Sequence, residues 1–505
     1  MQGELFLGLD VGTQGTKALL IDIDAARVVA RASSAYGLLA GLPDGAAEQD
    51  PGTWIEACRA SVAELFRERP AERARVAGIG VSGQQHGLVV LDEAGRVLRA
   101  AKLWCDTSTA DEARELSECF GRHVPVGYTA SKVLWVARRE PETWSRTRSV
   151  LLPHDYVNFV LSGERWTDAG DASGTGWFDL ERREHDLRLA AAIDPALPAK
   201  LVRVARPDEI PARLSARGAE LLGLSAGIAI AAGSGDNMES ALGSGASEPG
   251  TLVVSLGTSG TVFAASARPC VDPRGEIAPF CDATGRWLPL LCVMNATAPV
   301  EEVRTAFGLT HAELEARALR VPFGAQGLQW LPFLQGERVP DLPHARGVLA
   351  GQRAGWLDPA RLARAAVEGV ACNLAEGVER MRELGICASR AHVVGGAAHS
   401  ALWCRVLADV LELPLVPLAE TETGALGAAL HAAWAVARAR GSRVEASAIA
   451  RPFLRESAAR FDPDPDRRTQ VGELRARFRD QLERVYGRRE SRDRSVSGPR
   501  DPTPR

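Results

Sequence analysis

The sequence predicts an α/β protein of two lobes that face each other across a cleft. The strongest observation is a short glycine turn that occurs twice, first as Gly12-Thr13-Gln14-Gly15-Thr16 and again as Gly257-Thr258-Ser259-Gly260-Thr261. Each copy lies between two apolar runs typical of strands, so each half of the chain contains a strand, a tight turn and a returning strand. The length of 505 residues is too great for one core and fits two or three domains.

Hydrophobic periodicity predicts the elements of the first half. It favours strands over residues 5–9, 18–23, 28–35, 76–81, 88–91 and 229–232, and helices over 54–67, 109–119, 131–139 and 156–162. Asp50 or Thr53 is the candidate N-cap of the first helix. Residues 168–179 are polar and contain several glycines, which predicts a loop.

The second half is predicted to begin near Pro249-Gly250, shortly before the repeated turn. Periodicity favours a strand over 392–394 and helices over 359–384, 399–411 and 423–438. The segment 488–505 has charge, Ser and Pro but almost nothing apolar, which predicts disorder. We therefore expect an N-terminal lobe over 1–247, a C-terminal lobe over 248–487 and a disordered tail over 488–505.

Charge and cysteine usage narrow the functional class. A formal net charge of −4 gives no basic field for nucleic acid. The N-terminus carries Glu4 and Asp10 and lacks a signal segment, and no apolar stretch is long enough to span a bilayer. The 9 cysteines are scattered without a C-x-x-C pair, as expected for free thiols in a reducing cytoplasm. These features predict a cytoplasmic protein without nucleic-acid or membrane partners.

The two glycine turns are candidate phosphate sites. Glycine lets several backbone N–H groups point into one concavity, which binds phosphate, and Thr hydroxyls add donors. Two such turns in two half-chains suggest that both lobes hold one polyphosphate. Asp10 precedes only the first turn, and Ser255 takes the equivalent place in the second. Asp10 is therefore a candidate Mg²⁺ ligand, although an Asp that caps its own turn would give the same pattern.

A second carboxylate, Asp236, follows the strand at 229–232 through a turn with two glycines. A carboxylate at the exit of an inner strand is well placed to accept the proton of a hydroxyl group. The same residue would also suit the N-terminus of a helix that begins near Asn237, and the two roles are compatible.

Polar side chains in the turn Gly83-Gln84-Gln85-His86-Gly87 are candidate sugar ligands. Amides and imidazole form directed hydrogen bonds with hydroxyl groups. A hairpin turn whose His satisfies a buried carbonyl is an equal alternative. Downstream, Trp104 and Asp106 would suit a polyol, or would serve as a core residue and a cap.

Other glycine and histidine patterns carry less information. The turn Gly395-Gly396-Ala397-Ala398 joins a strand to a helix, where small residues admit a base or a phosphate, or simply allow close packing. Residues 78–83 match G-x-G-x-x-G but lie within a strand that no helix follows, so the dinucleotide motif fails. No P-loop sequence occurs, and the 9 histidines form no H-x-x-x-H pair, so we expect no zinc site.

Together these segments resemble the FGGY carbohydrate kinases, from residue 5 to about residue 440. The resemblance rests on eight motifs in the family's order: Asp10-Val11-Gly12-Thr13-Gln14-Gly15-Thr16-Lys17, Gly83-Gln84-Gln85-His86-Gly87, Leu103-Trp104-Cys105-Asp106-Thr107, Leu152-Pro153-His154-Asp155-Tyr156, Gly235-Asp236-Asn237, Ser255-Leu256-Gly257-Thr258-Ser259-Gly260, Leu331-Pro332-Phe333-Leu334-Gln335-Gly336-Glu337-Arg338 and Val394-Gly395-Gly396-Ala397-Ala398. Single motifs of this kind are common, but eight in order are specific.

The resemblance implies an actin-like fold of two ribonuclease-H-like lobes with a cleft between them. It implies transfer of a phosphoryl group from ATP to a ketopentose, with D-xylulose as the expected sugar. Asp236 would be the proton acceptor, and Asp10 would face Mg²⁺ and the transferred group. The sugar would contact Gln85, His86, Trp104, Asp106, Asp236 and Asn237. ATP would be held by Gly12, Thr13, Gln14, Gly15, Lys17, Gly257, Thr258, Ser259, Gly395, Gly396 and Ala397. The resemblance leaves a homodimer open.

Four residues depart from the family's usual pattern. Gln85 replaces a frequent Met, Glu239 stands where small residues are common, Ala397 replaces a third glycine, and His399 replaces a frequent Arg. These departures keep other acceptors open, namely ribulose, L-xylulose, fuculose and glycerol. The rival classes are a non-catalytic sugar-binding or nucleotide-binding regulator, which retention of both aspartates opposes, and an actin-like ATPase, for which no added peptide-binding domain is visible.

Overall fold

A computed structural model describes residues 3–457 and 459–487, so the tail predicted over 488–505 lies outside the described residues. The first half contains these elements: β1 Leu5–Val11, β2 Gly15–Asp22, β3 Arg27–Ala35, β4 Glu48–Gln49, α1 Pro51–Leu65, β5 Val76–Gly83, β6 Val89–Leu91, β7 Ala101–Lys102, α2 Ala110–Phe120, α3 Thr129–Arg139, α4 Pro141–Arg146, β8 Ser149–Leu151, α5 Pro153–Ser162, β9 Thr167–Asp168, α6 Ala169–Ala172, β10 Phe178–Asp179, β11 Glu184–His185, α7 Leu187–Ile193, β12 Val204–Ala205, β13 Ala212–Arg213, α8 Ala216–Leu222, β14 Ala229–Ile230, β15 Ser234–Gly235 and α9 Asp236–Gly243.

The second half contains these elements: β16 Thr251–Leu256, β17 Gly260–Phe263, β18 Ile277–Cys281, β19 Trp287–Val293, α10 Ala298–Ala306, α11 His311–Ala318, β20 Gln329–Leu331, β21 Val348–Ala350, α12 Pro359–Glu383, β22 Arg390–Val394, α13 Ala401–Leu411, β23 Leu415–Pro417, α14 Thr423–Ala439, α15 Ala446–Ala450 and α16 Arg468–Tyr486. Short 3₁₀ turns occur at Pro70–Arg75, Leu197–Lys200, Ala325–Gly327, Gly396–His399, Arg451–Phe453 and Pro465–Arg467.

The two halves share one strand order. In the first sheet, β3, β2 and β1 form an antiparallel meander, and β5 and then β14 continue the sheet in parallel with β1. In the second sheet, β19, β17 and β16 form the meander, and β22 and β23 continue it in parallel with β16. The repeated glycine turn joins the first two strands of each meander. This repetition confirms the two-lobed α/β fold that the sequence predicts.

Helix α14 packs across the boundary between the halves. Apolar side chains on α14, including Leu430 and Trp434, share a core with Phe6 and Ile21 of the first sheet. The contact is close because glycines face helical carbonyls: a Cβ on Gly8 would lie 1.9 Å from a carbonyl oxygen of α14. Helices α9 and α14 also pack closely through glycines that face helical carbonyls. Helix α14 of the second half thus packs directly against the sheet of the first half.

Local capping explains where several elements begin. Asp50, one of the two predicted caps, accepts a hydrogen bond of 2.9 Å from the Gly52 N–H at the start of α1. The loop predicted over 168–179 is only partly correct, because its first residues form β9 and α6. Asp168 accepts from the N–H groups of Gly170 and Asp171, which caps one helical turn within a polar sequence. Among residues 3–457 and 459–487, no helix is both long and apolar enough to cross a bilayer.

Candidate active site

The candidate site lies where three parallel strands of the first sheet end. Asp10 on β1 pairs in register with Ser82 on β5, and Ser82 pairs in turn with Ser234 on β15. The Gln85-His86 turn follows β5, and Asp236 follows β15 directly. The carboxyl ends of parallel strands are the usual place for ligands in α/β proteins. The sheet therefore brings Asp10, the Gln85-His86 turn and Asp236 to one edge.

Asp10 is held between a strand and the start of a helix. The Ser82 hydroxyl donates a hydrogen bond of 2.6 Å to Asp10 Oδ1. On the other side the carboxylate packs against Gly424 in the first turn of α14. Burial raises the pKa of Asp10 above its ordinary value, against the opposing effects of Lys17 and Ser82. A buried carboxylate of this kind gains from a bound cation.

Replacement of Gly424 by alanine is expected to displace the Asp10 carboxylate. A Cβ at this position would lie 2.9 Å from Asp10 Cγ, so one of the two groups must move. A shift of this size in a phosphoryl-transfer site should lower kcat by about 10-fold, with little change in the KM for the sugar. Steady-state kinetics measure both. Gly472→Ala is the matched control, because its Cβ would meet open space, and an unchanged kcat in Gly424→Ala would contradict the prediction.

The first glycine turn presents free backbone donors. The Gly12 N–H donates to the Gly15 carbonyl at 3.0 Å, and the Tyr36 hydroxyl donates to the Gly12 carbonyl at 2.8 Å, which closes the turn. Within residues 3–457 and 459–487, no group accepts from the N–H of Thr13 or Gln14. The Thr13 hydroxyl is already in use, because it donates to Gln84 at 3.0 Å. The turn can therefore bind an anion through its backbone, as a phosphate nest does.

The second glycine turn has the same geometry and lies beside the Gly395 turn. The Gly257 N–H donates to the Ser259 carbonyl at 2.9 Å, and no described residue accepts from the N–H of Thr258 or Ser259. Gly395 has φ 84°, and a Cβ there would lie 2.5 Å from the Leu256 carbonyl oxygen, so glycine is required. Gly396 faces open space, whereas Ala397 is buried. Together the turns form a cradle whose backbone N–H groups can donate to an anion.

Lys17, predicted to contact ATP, bridges the two halves. Its ammonium group lies 2.5 Å from Glu422 Oε2, just before α14. Burial opposes the charged form, but Asp10 and Glu422 outweigh it and raise the Lys17 pKa. Asp236 contributes to the same rise, so Lys17 lies within electrostatic reach of both candidate carboxylates.

Asp236 is the first residue of α9, and its carboxylate belongs to a chain of hydrogen bonds. Asp236 Oδ1 accepts from the Asn237 backbone N–H at 2.8 Å and from Asn237 Nδ2 at 2.9 Å. Asn237 Nδ2 also donates to Gln85 Oε1 at 2.9 Å. From the second half, the Thr261 hydroxyl donates to Asn237 Oδ1 at 3.0 Å. These hydrogen bonds link the Gln85-His86 turn and Asp236 to the strand that follows the second glycine turn.

The environment of Asp236 suits a proton acceptor. Burial, with added repulsion from Asp10 and Asp171, raises the pKa of Asp236 to about 7. Only Oδ1 takes part in the hydrogen bonds described above, so Oδ2 has no donor among the described residues. A carboxylate with a pKa near neutral pH can both take up and release a proton.

Gln85 and His86 carry buried polar atoms without a partner. Gln85 Nε2 and His86 Nδ1 are buried, and neither makes a hydrogen bond to a described residue. The His86 ring packs between Tyr128 and Phe280, with centroid distances of 5.1 and 5.4 Å. Burial, with nearby Lys132 and Arg338, holds the pKa of His86 well below its ordinary value. Buried polar groups normally have partners, so these two atoms indicate a polar ligand.

Trp104 and Asp106 lie close to the predicted site but contact other groups. The Trp104 indole N–H donates to the Thr13 hydroxyl at 3.0 Å, and the Arg338 guanidinium lies 5.4 Å from its ring centroid. Asp106 is fully buried, and its carboxylate accepts from Lys102 Nζ at 3.1 Å and from the Ser108 hydroxyl at 2.6 Å. A sugar contact by Asp106 stays a prediction that this geometry does not strengthen.

Four residues near the site were not singled out individually by the sequence. Ser82, Thr261, Asp171 and Arg338 contact the predicted site residues or lie beside them. Sheet register would have found Ser82, because it pairs with Asp10 across parallel strands. Arg338 closes one of the motifs that carry the family resemblance. Asp171 lies in a segment predicted to be a loop and gave no signal.

Magnesium would have one protein carboxylate in this site. Among the described residues there is no cluster of three or more His, Cys, Asp or Glu residues suited to a metal ion. Mg²⁺ commonly binds through one or two carboxylates, substrate phosphates and water. The buried Asp10 carboxylate, beside backbone N–H groups that can donate to phosphate, fits that mode.

Comparison with known proteins agrees with this geometry. Residues 5–243 match the N-terminal domain of the FGGY family of carbohydrate kinases, and residues 252–436 match its C-terminal domain. A xylulose kinase of Haemophilus influenzae is 36% identical over 455 residues, which cover 85% of this chain and 90% of that protein. One from Streptomyces rubiginosus is 37% identical over 445 residues, covering 86% and 88%.

Solved structures show the same likeness. A xylulose kinase structure from Rhodospirillum rubrum has a TM-score of 0.85 and 29% identity, covering 96% of this chain and 99% of that one. A structure from Brucella ovis, titled a "xyloylose kinase", has a TM-score of 0.88 and 32% identity with the same coverage.

The two-lobed α/β fold, with a glycine turn in each half and a buried pocket that contains Asp236, is that of a carbohydrate kinase. The chain belongs to the FGGY family of carbohydrate kinases. The fold, the family and the enzyme class expected from the sequence are thereby confirmed.

Proposed function

We propose that this kinase transfers the γ-phosphoryl group of ATP to D-xylulose, giving D-xylulose 5-phosphate, with Asp236 as the general base. The observation that carries the proposal is the pocket itself. Asp236, with a pKa of about 7, lies in one hydrogen-bonded chain with Gln85, and the buried Gln85 Nε2 and His86 Nδ1 have no hydrogen-bond partner among the described residues. The relatives named xylulose kinase, at 36% and 37% identity, support the choice of sugar.

The sugar pocket would work by orientation and proton transfer. Gln85 Nε2 can donate to a sugar hydroxyl, and His86 Nδ1 can donate or accept, since its ring is neutral. Asn237 holds Asp236 Oδ1, which leaves Oδ2 to receive the proton of the reacting hydroxyl. As that proton moves to Asp236, the hydroxyl oxygen bonds to the γ-phosphorus and the bond to the ADP oxygen breaks. General-base catalysis of this kind contributes on the order of 10²–10⁴-fold.

The phosphate cradle would supply the remaining catalysis through positioning and charge. The N–H groups of Thr13, Gln14, Thr258 and Ser259 have no acceptor among the described residues, so closure of the two halves would bring both turns to one polyphosphate. Lys17 adds a positive charge that interacts with both Asp10 and Asp236. Asp10 would hold Mg²⁺, and the bound ion would supply positive charge against the phosphates. Exclusion of water by the closed cleft would keep ATP hydrolysis slow without sugar.

A substrate panel tests the choice of sugar. Coupled ADP release should show the highest kcat/KM with D-xylulose, ahead of D-ribulose, L-xylulose, L-fuculose and glycerol. Phosphorus NMR of the product identifies the phosphorylated oxygen. A higher kcat/KM with another acceptor would show that D-xylulose is not the preferred substrate. The extra amide of Gln85 gives a specific reason to examine ribulose. A thermal-shift screen with and without Mg-ATP gives an independent measure of binding.

Two rival classes predict different results in the same assay. A non-catalytic regulator would bind sugar or nucleotide without releasing ADP. An actin-like ATPase would hydrolyse ATP without any increase from sugar. Either result with folded protein would overturn the proposed function.

A further inference from the structure

A buried cluster of charged side chains lies directly behind the sugar pocket. His154, at the start of α5, is fully buried and is surrounded by three carboxylates. Its Nδ1 lies 2.9 Å from Asp171 Oδ2, and its Nε2 lies 3.0 Å from Asp155 and 3.4 Å from Asp168. Burial opposes its charged form, but Asp155 and Asp171 outweigh burial and raise the His154 pKa to about 10. His154 therefore carries a positive charge at neutral pH.

The cluster reaches the sugar pocket through Asp171. While Oδ2 of Asp171 contacts His154, Oδ1 accepts from the backbone N–H of His86 at 3.3 Å and lies 3.9 Å from His86 Nδ1. Because both carboxylate oxygens are engaged and Asp171 is fully buried, its orientation is fixed. This carboxylate is the link between His154 and His86.

His86 needs such support because its backbone is strained. Its φ is 63°, in the left-handed region that non-glycine residues seldom occupy. Asp171 holds the N–H of the residue, and the Thr129 hydroxyl holds its carbonyl at 3.1 Å. The ring then rests on Gly174, where a Cβ would lie 1.9 Å from His86 Cε1. Strain at functional sites persists only when the surrounding structure enforces it.

We propose that Asp171, held in place by His154, is a positioning residue for the sugar, because it sets the backbone and ring orientation of His86. The proposal rests on the proposed function in that His86 is taken to contact the sugar. Asp171 itself does not act on the reacting atoms. Its loss should therefore weaken sugar binding while the interactions with ATP are retained.

A double-mutant cycle tests whether Asp171 acts through His86. His86→Asn keeps a residue type that tolerates a positive φ, and Asp171→Asn keeps the size of the side chain. Each single variant should raise the KM for the sugar by about 10-fold or more, with the KM for ATP unchanged. The double variant should be no worse than His86→Asn alone, since Asp171 is proposed to act through the His86 ring, which the first change already removes. Multiplied effects, or equal changes in the KM for both substrates, would overturn the proposal.

A second variant keeps the test decisive if Asp171→Asn unfolds. Gly174→Ala should push the His86 ring aside, because the three atoms nearest to its Cβ all belong to that ring, and it should give the same selective rise in the KM for the sugar. Gly472→Ala is the matched control and should leave both KM values unchanged. A rise with Gly174→Ala but not with folded Asp171→Asn would show that Asp171 does not position the ring. If the wild-type protein phosphorylates no sugar in the panel, the proposed function itself has failed, which is a different outcome from additive variants in an active enzyme.

Discussion

Asp236→Asn is expected to lower kcat for sugar phosphorylation by about 10²–10⁴-fold while the protein stays folded. The amide keeps the shape of the side chain but cannot accept the hydroxyl proton. Because the pKa of Asp236 is about 7, the basic form predominates only above neutral pH. In the wild type, kcat/KM for the sugar should therefore rise with pH through about 7 and then level off. This rise should be absent from Asp236→Asn.

The pH profile separates a lost base from a damaged pocket. Asp409→Asn is the control, because Asp409 is a buried aspartate that contacts Arg467 and the Asp464 N–H in the second half, away from the cleft. That variant should keep both kcat and the rise near pH 7. Near-normal turnover by folded Asp236→Asn would contradict the assignment of the base.

Local sequence patterns predicted the parts of the site that depend on short segments. A strand, a glycine turn and a returning strand leave backbone N–H groups of adjacent residues unpaired, so the turns at Gly12 and Gly257 could be placed in advance. Asp10 and Asp236 could also be placed, because Asp10 lies at the end of a short apolar strand and Asp236 follows another such strand through a turn with two glycines. These features depend on backbone geometry that neighbouring residues determine.

Contacts between distant segments could not be predicted in this way. The hydrogen bond from Ser82 to Asp10 spans 72 residues, and the one from His86 to Asp171 spans 85 residues. Both depend on which strands and helices pack together. The direction of a side chain could not be predicted from the sequence either. An aromatic residue and a carboxylate downstream of the Gln85-His86 turn suggested a polyol site at Trp104 and Asp106. In the fold, the Asp106 carboxylate instead faces Lys102 and Ser108.

Helices α9 and α14 carry a buried ion pair where they cross. His431 Nδ1 lies 2.6 Å from Glu239 Oε1, and His431 Nε2 lies 2.7 Å from the Pro207 carbonyl. Both side chains are fully buried. Burial opposes the charged form of His431, but Glu239 outweighs it and raises the His431 pKa to about 9. Glu239, a departure from the family's usual small residue, therefore has a specific partner on the opposite helix.

His431→Gln is expected to destabilise the protein by about 3–5 kcal/mol near neutral pH, because it leaves the Glu239 carboxylate buried without its cation. The loss should depend on pH in a defined direction. The folded-state pKa of about 9 lies above the ordinary value of 6.5, so the folded protein keeps a proton that the unfolded chain releases between these values. The stabilisation from this proton is complete below pH 6.5 and is lost as the pH rises through about 9.

Denaturant unfolding at several pH values measures this effect directly. The difference in unfolding free energy between wild type and His431→Gln should shrink by about 3 kcal/mol from pH 6.5 to about pH 9.5, since one pKa unit corresponds to about 1.4 kcal/mol. His392→Gln is the matched control: burial lowers the pKa of His392, so its pH dependence lies below 6.5. Parallel stability curves for wild type and His431→Gln across this range would show that the ion pair does not hold the two helices together. Converging curves would instead show that Glu239, three residues after the proposed base on the same helix, helps to hold α9 against α14.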